Sequence, residues 1–172
     1  MKRNIPNINI LVVVALLIMC SVSFANDKNV TQCTPDEAVY FSCSVKSKVV
    51  SLCGSSNLSG DNGYLVYRFG YPGKTPELVY PQDKMKPAEV FGLYSSSYAK
   101  GSTTQISFEN KTYTYTLYHE RNVWDVNGSG VAIEKDGKRI AHLKCDEKSI
   151  KVGDIGILSN IGLKKLEFKD LP

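Results

Sequence analysis

Four cysteines, Cys33, Cys43, Cys53 and Cys145, constrain the fold of this chain more than any other feature, because the segment before them decides their chemistry. Lys2 and Arg3 form a short basic region, residues 10–19 are an unbroken apolar run, and Ser23-Phe24-Ala25 supplies the small-x-small pattern that signal peptidase reads. The apolar run is half of the roughly 20 residues that a bilayer-spanning helix needs. The expectation is a secretory signal over residues 1–25 with no stable membrane anchor, leaving residues 26–172 as one domain in an oxidising compartment, periplasmic or secreted. Cysteines there are candidate disulfides and not metal or redox thiols. The fifth cysteine, Cys20, lies inside the presequence behind Met19, where a lipoprotein would carry a small residue.

Strand periodicity narrows the three pairings that four cysteines allow. Val39, Phe41, Cys43 and Val45 alternate with Tyr40, Ser42 and Ser44, the period of a half-buried strand. Lys46-Ser47-Lys48 makes a tight polar turn and residues 49–53 run back. A two-residue loop places Cys53 opposite Tyr40, on the other face from Cys43. A three-residue loop places it opposite Phe41, on a diagonal too long for a bridge. Both registers disfavour Cys43–Cys53. The favoured set is Cys43–Cys145, tying the first strand to the last, with Cys33–Cys53 pinning the N-terminal arm. Cys33–Cys43 with Cys53–Cys145 stays open.

The remaining segments are short strands bounded by turn residues: 64–69, 77–80, 90–94, 105–108, 112–119, 131–134 and 139–143. Asp136-Gly137 is the strongest hairpin signal, because a two-residue type I′ turn needs positive φ at both central positions. Its register sets Glu134 opposite Arg139, Ile133 opposite Ile140, and His142 opposite Val131. Residues 54–63 and 82–89 read as loops, and the segment after Ile150 is ambiguous. No amphipathic helix longer than two turns is visible. The expected fold is all-β, a single disulfide-stapled antiparallel barrel or sandwich, with residues 150–172 as a peripheral C-terminal extension.

Charge excludes some partners. Without Lys2 and Arg3 the formal net charge falls from +4 to +2, which argues neither for nucleic acid nor for an acidic membrane surface. Lys164, Lys165 and Lys169, interrupted by Glu167 and Asp170, read as a solvated face. Sequons start at Asn29, Asn57, Asn110 and Asn127 and would carry glycans in a eukaryotic pathway, though the short Lys/Arg-led presequence suits a bacterial periplasm.

Catalytic and metal motifs are sparse. His119, Asp125 and a serine can be drawn as a triad, yet no Gly-x-Ser-x-Gly elbow is present. The two histidines, His119 and His142, are not at ligand spacing, and Asp36-Glu37 and Asp146-Glu147 lie in polar turns. Gly128-Ser129-Gly130 is a connector with no phosphate-cradling signature. No cofactor is implied. What remains is an aromatic surplus of ten Tyr, six Phe and one Trp. Tyrosine combines large contact area with a polar tip, and the Tyr/Ser/Gly segment 92–101 reads as an adaptable recognition loop. Tyr94, Ser96, Tyr98, Lys100 and Trp124 are the candidate binding residues.

Phe41-Ser42-Cys43, the run 48–53, Tyr64-Leu65-Val66-Tyr67-Arg68-Phe69-Gly70 and Glu77-Leu78-Val79-Tyr80-Pro81 resemble an uncharacterised group of exported bacterial proteins, which implies export and a β fold. A weaker resemblance is to the periplasmic inhibitors of c-type lysozyme. Here Tyr40 to Cys43 and Leu143-Lys144-Cys145 echo their early Tyr-x-Cys and late Cys, although the first spacing is one residue longer and their inhibitory Ser-Ala-Ser-Gly type loop is missing. That resemblance implies a small antiparallel barrel.

The expected function is that of an exported non-enzymatic binding protein, an inhibitor or immunity-type protein that binds another protein such as a cell-wall-active enzyme. Two alternatives stand beside it. A carbohydrate- or cell-surface-binding module needs two or three coplanar exposed aromatics. A small secreted hydrolase or toxin needs His119 or His142 beside a nucleophile in a cleft.

Overall fold

A computed structural model of the chain describes residues 30–59, 62–123 and 128–171. The expected signal segment, Cys20, Trp124, Asp125 and the sequon asparagines Asn29 and Asn127 lie outside these residues.

The described chain is almost entirely β. β1 (Glu37–Val45), β2 (Lys48–Ser55), β3 (Leu65–Gly70) and β4 (Leu78–Tyr80) form one meander, and β5 (Gly92–Tyr98), β6 (Gly101–Asn110), β7 (Tyr113–Asn122), β8 (Ser129–Lys135) and β9 (Lys138–Lys144) form another. Two short strands complete the sheets. β10 (Lys151–Val152) joins the edge of β1, giving the order β10-β1-β2-β3-β4, and β11 (Lys164–Lys165) joins β5, giving β11-β5-β6-β7-β8-β9. The sheets stay separate, so the architecture is sandwich-like and the barrel implied by the lysozyme-inhibitor resemblance does not close. Every pairing is antiparallel except β11 on β5, which is parallel. The segment after Ile150 thus contributes a strand to each sheet and is not peripheral. No helix among the described residues is long and apolar enough to cross a membrane.

Turn chemistry explains both meanders. Val45 pairs with Lys48, leaving the two-residue turn Lys46-Ser47 with positive φ only at Lys46 (55°), whereas Asp136 (φ 50°) and Gly137 (φ 73°) are both positive in the two-residue turn between β8 and β9. Glu134 faces Arg139 as the sequence predicts. Beyond that rung β9 carries an extra residue, so Ile133 faces Ala141, not Ile140, and His142 faces Ala132, not Val131. This bulge turns Ile140 outward, where it is 56 % exposed.

The core lies between the sheets. Phe41, Cys43, Val50, Leu52, Leu65 and Tyr67 meet Phe91, Leu93, Ile106, Phe108, Leu117 and Val131. Phe108 stacks on Tyr115 (5.0 Å, 4°) and on Tyr80 (4.7 Å, 14°), with Phe91 edge-on at 5.6 Å. Much of the tyrosine surplus is therefore core material. Leu158, from a 3-10 turn over Ile155–Asn160, is fully buried in the same core, a burial that contributes about 1.5–3 kcal/mol.

Both disulfides follow the face alternation of the first hairpin, although Tyr40 is an extra residue in β1, so that Cys53 faces Val39 and not Tyr40. Cys43 points inward with Phe41 and bridges to Cys145, just past β9, with Cα atoms 5.6 Å apart, so this bridge ties the two sheets together across 102 residues. Two further strands follow it, so it does not tie first to last. Cys53 points to the outer face and bridges to Cys33 (Cα–Cα 5.4 Å), holding residues 30–36 over that face. Beneath this arm Ser42 and Ser51 are fully buried and hydrogen-bonded to each other at 2.9 Å, and the Gln32 amide donates to Ser51 Oγ at 2.9 Å. Arg68 adds a two-pronged ion pair to Glu37 (2.5 and 2.9 Å), whose carboxylate also accepts from the Thr34 amide and the Tyr64 hydroxyl. Burial would raise the Glu37 carboxyl, but Arg68, Thr34 and Tyr64 together outweigh it and lower it to about 2.

Candidate functional site

The candidate residues Tyr94, Ser96 and Tyr98 share one face because they alternate along a strand. Segment 92–101 is not a loop: β5 runs to Tyr98 and only Ala99-Lys100 turn. Serines and tyrosines satisfy a ladder as well as a loop: β6 pairs with β5 over Gly92–Tyr98, whereas β11 pairs only with Gly92 and Leu93. Leu93 points into the core, and Tyr94, Ser96 and Tyr98 point to the outer face of the second sheet. The register continues this face across the sheet. Tyr94 lies beside Gln105 and then Tyr118, and Ser96 lies beside Thr103 and then Glu120.

The chain's last residues lie across this surface. The Leu166 amide donates to the Leu93 carbonyl at 2.9 Å, and Leu166 packs directly on Gly92, where a Cβ would sit 2.5 Å from its side chain. The Gln105 side chain then grips the backbone of Lys169 twice, Nε2 donating to its carbonyl (2.7 Å) and Oε1 accepting from its amide (3.0 Å). Lys169 Nζ reaches Glu134 at 2.7 Å, and Arg139 donates to the Asp170 carbonyl at 3.0 Å. Leu171 is buried with Tyr118 and Ala132 in a small cluster of its own. Lys164 and Lys165 are exposed, as a solvated face requires, whereas Lys169 is half-buried and ion-paired.

This arm creates relief on an otherwise plain sheet. Tyr94, Ser96, Tyr98, Thr103, Glu120, Phe168, Asp170 and Leu171 line a shallow groove of about 420 Å³. Tyr98 (51 %) and Phe168 (50 %) are among the most exposed large apolar side chains of the described residues. Tyr94 and Phe168 touch with ring centroids 5.4 Å apart, tilted by 53°. Lys100 stands apart in the hairpin turn, where its carbonyl accepts from the Val123 amide at 2.9 Å.

Neither histidine reaches this groove. His119 Nδ1 lies 2.8 Å from Ser129 Oγ, but the two are cross-strand neighbours and Ser129 is 4 % exposed. A hydroxyl so enclosed cannot meet a substrate carbonyl. Burial and then Arg121 lower the His119 pKa, favouring the neutral ring. His142 stacks on Tyr118 and hydrogen-bonds its hydroxyl through Nε2; burial, with Arg139 and Lys144, lowers its pKa too. Burial and Glu120 push the Tyr118 phenol up to about 12. Cys33, Cys53 and Glu37 bring ligand-type atoms together, but the sulfurs are in the disulfide and the carboxylate is held by Arg68.

Of the candidate residues, Tyr94, Ser96 and Tyr98 share the groove, which also takes in Thr103, Glu120, Phe168, Asp170 and Leu171, none of them singled out from the sequence. The available signal was Phe168 and Leu171, two large apolar residues within a charged C-terminal run. No protein-family model matches the chain. Comparison with curated proteins gives no match, and comparison with solved structures gives none either.

Proposed function

We propose that the protein is an exported, non-enzymatic binding protein that recognises another protein through the outer face of β5–β7 and the C-terminal arm. The observation that carries this reading is the groove in which two half-exposed aromatics, Tyr98 and Phe168, sit with the carboxylates of Glu120 and Asp170. Aromatic anchors with a polar surround are what protein interfaces concentrate energy in. A disulfide-braced sheet presents them with little ordering cost on binding. The 53° tilt between Tyr94 and Phe168 suits an irregular protein surface better than the flat face of a sugar ring. The enclosure of Ser129 behind His119 supports a non-catalytic role.

Two disulfides fit an extracytoplasmic location. The resemblance to periplasmic lysozyme inhibitors makes a cell-wall-attacking enzyme the target class to try first, with an inhibitor or immunity role. The test is affinity capture from extract and culture fluid with the mature, oxidised protein, followed by calorimetry with the purified partner. One stoichiometric protein partner should appear, and Tyr94→Ala/Tyr98→Ala should weaken it by about 100-fold. Retention of polysaccharide alone, or equal affinity of the variant, overturns the reading.

A further inference from the structure

On the other side of the C-terminal arm from the groove lies a larger cavity of about 600 Å³, within the range of small-molecule sites. We propose that it binds a small hydrophobic cation, a molecule with an aromatic or short alkyl body and an ammonium group. This inference does not rest on the protein-recognition reading.

The cavity exists because β5 starts late. Gly92 pairs with Ser107, so the far end of β6, from Phe108 onward, runs beyond its neighbour. The space beside it is walled by the one-turn helix Pro87–Val90 on one side and by Leu166 and Phe168 of the arm on the other. Tyr80, Phe91 and Phe108 also line it, which puts the aromatic stack of the core at its base. Met85, 42 % exposed, supplies a pliable apolar wall. This half of the cavity suits a flat or chain-like apolar body.

Charge selects what the body carries. Glu89, Glu109 and Glu167 line the cavity together with Lys164 and Lys169. The Lys169 ammonium is held by Glu134 at 2.7 Å, which leaves three carboxylates against the ammonium of Lys164. An ammonium group on the ligand gains charge-assisted hydrogen bonds from these carboxylates and attraction to the aromatic faces. A carboxylate on the same body meets repulsion, and an alcohol gains only the apolar part.

The test titrates the mature, oxidised protein with phenethylammonium, phenethyl alcohol and hydrocinnamate, followed by amide NMR. Phenethylammonium should saturate with shifts centred on residues 88–92 and 166–169, and should bind at least about tenfold tighter than hydrocinnamate. Ala88→Trp, which fills the cavity from an exposed position, should abolish the shifts. Glu89→Gln/Glu167→Gln, both exposed, should keep the folded spectrum and weaken phenethylammonium by about tenfold while leaving the alcohol unchanged. Equal binding of ammonium and carboxylate, no saturation up to the order of 10 mM, or undiminished affinity in both variants overturns the proposal.

Discussion

The two ends of the described chain do the same job with different fasteners. Residues 30–36 cover the outer face of the first sheet and are held by the Cys33–Cys53 bridge and the enclosed Glu37–Arg68 ion pair. Residues 166–171 cover the outer face of the second sheet and are held by the double grip of Gln105, the partly exposed Lys169–Glu134 pair and one buried leucine. The covalent arm seals buried serines beneath it. The non-covalent arm is flanked by both the groove and the cavity. Strong closure and concave relief occupy different faces of one molecule.

The largest perturbation removes the bridge common to both faces. Cys43→Ala/Cys145→Ala should cost about 4–5 kcal/mol in the chain-entropy model, read as a lower denaturant midpoint. Cys33→Ala/Cys53→Ala opens a shorter loop and should cost about 3 kcal/mol, with the protease sites that appear first mapping to residues 30–36. If the C-terminal arm is cut first in that variant, the assignment of fasteners is reversed.

Glu37→Gln sharpens the comparison by leaving the disulfide intact, and should cost about 2 kcal/mol because Arg68 loses its charged partner. The sign of the pH dependence follows from the same pair. The Glu37 carboxyl is lowered from 4.5 to about 2, so its stabilisation is complete above pH 4.5 and is lost as pH falls toward 2. Acid titration of stability should show this loss in the parent and not in Glu37→Gln. The smallest effect belongs to Gln105→Ala, about 1 kcal/mol globally, yet it should speed amide exchange at Lys169 while leaving that at Gln32 unchanged. An equal change at both amides would break the comparison.

Legibility in the sequence followed the length of the local pattern. The first hairpin was readable because period-two alternation and a two-residue turn fixed which face each cysteine takes, and the disulfides followed. The Asp136-Gly137 turn fixed two rungs and then failed at the Ile140 bulge, which no local residue type announces. Segment 92–101 misled by composition, since Tyr and Ser serve edge ladders and loops alike, although alternation still placed Tyr94, Ser96 and Tyr98 together. The C-terminal part was opaque for a physical reason. β10 and β11 are two residues each and the turn between them is 3-10, so no period repeats long enough to register. Phe168, Asp170 and Leu171 of the groove come from that part, and Thr103 and Glu120 come from neighbouring strands whose register no local pattern gives.

Phe168 lines both the groove and the cavity. A single ring that forms a wall of two compartments is a point where occupants of the two would meet. If a ligand on one side shifts the ring's preferred position, it changes affinity on the other side by a factor that the second occupant must return in equal measure. Small-molecule and protein recognition on this face would then be two halves of one equilibrium, read out by whether phenethylammonium changes the dissociation constant of the captured partner.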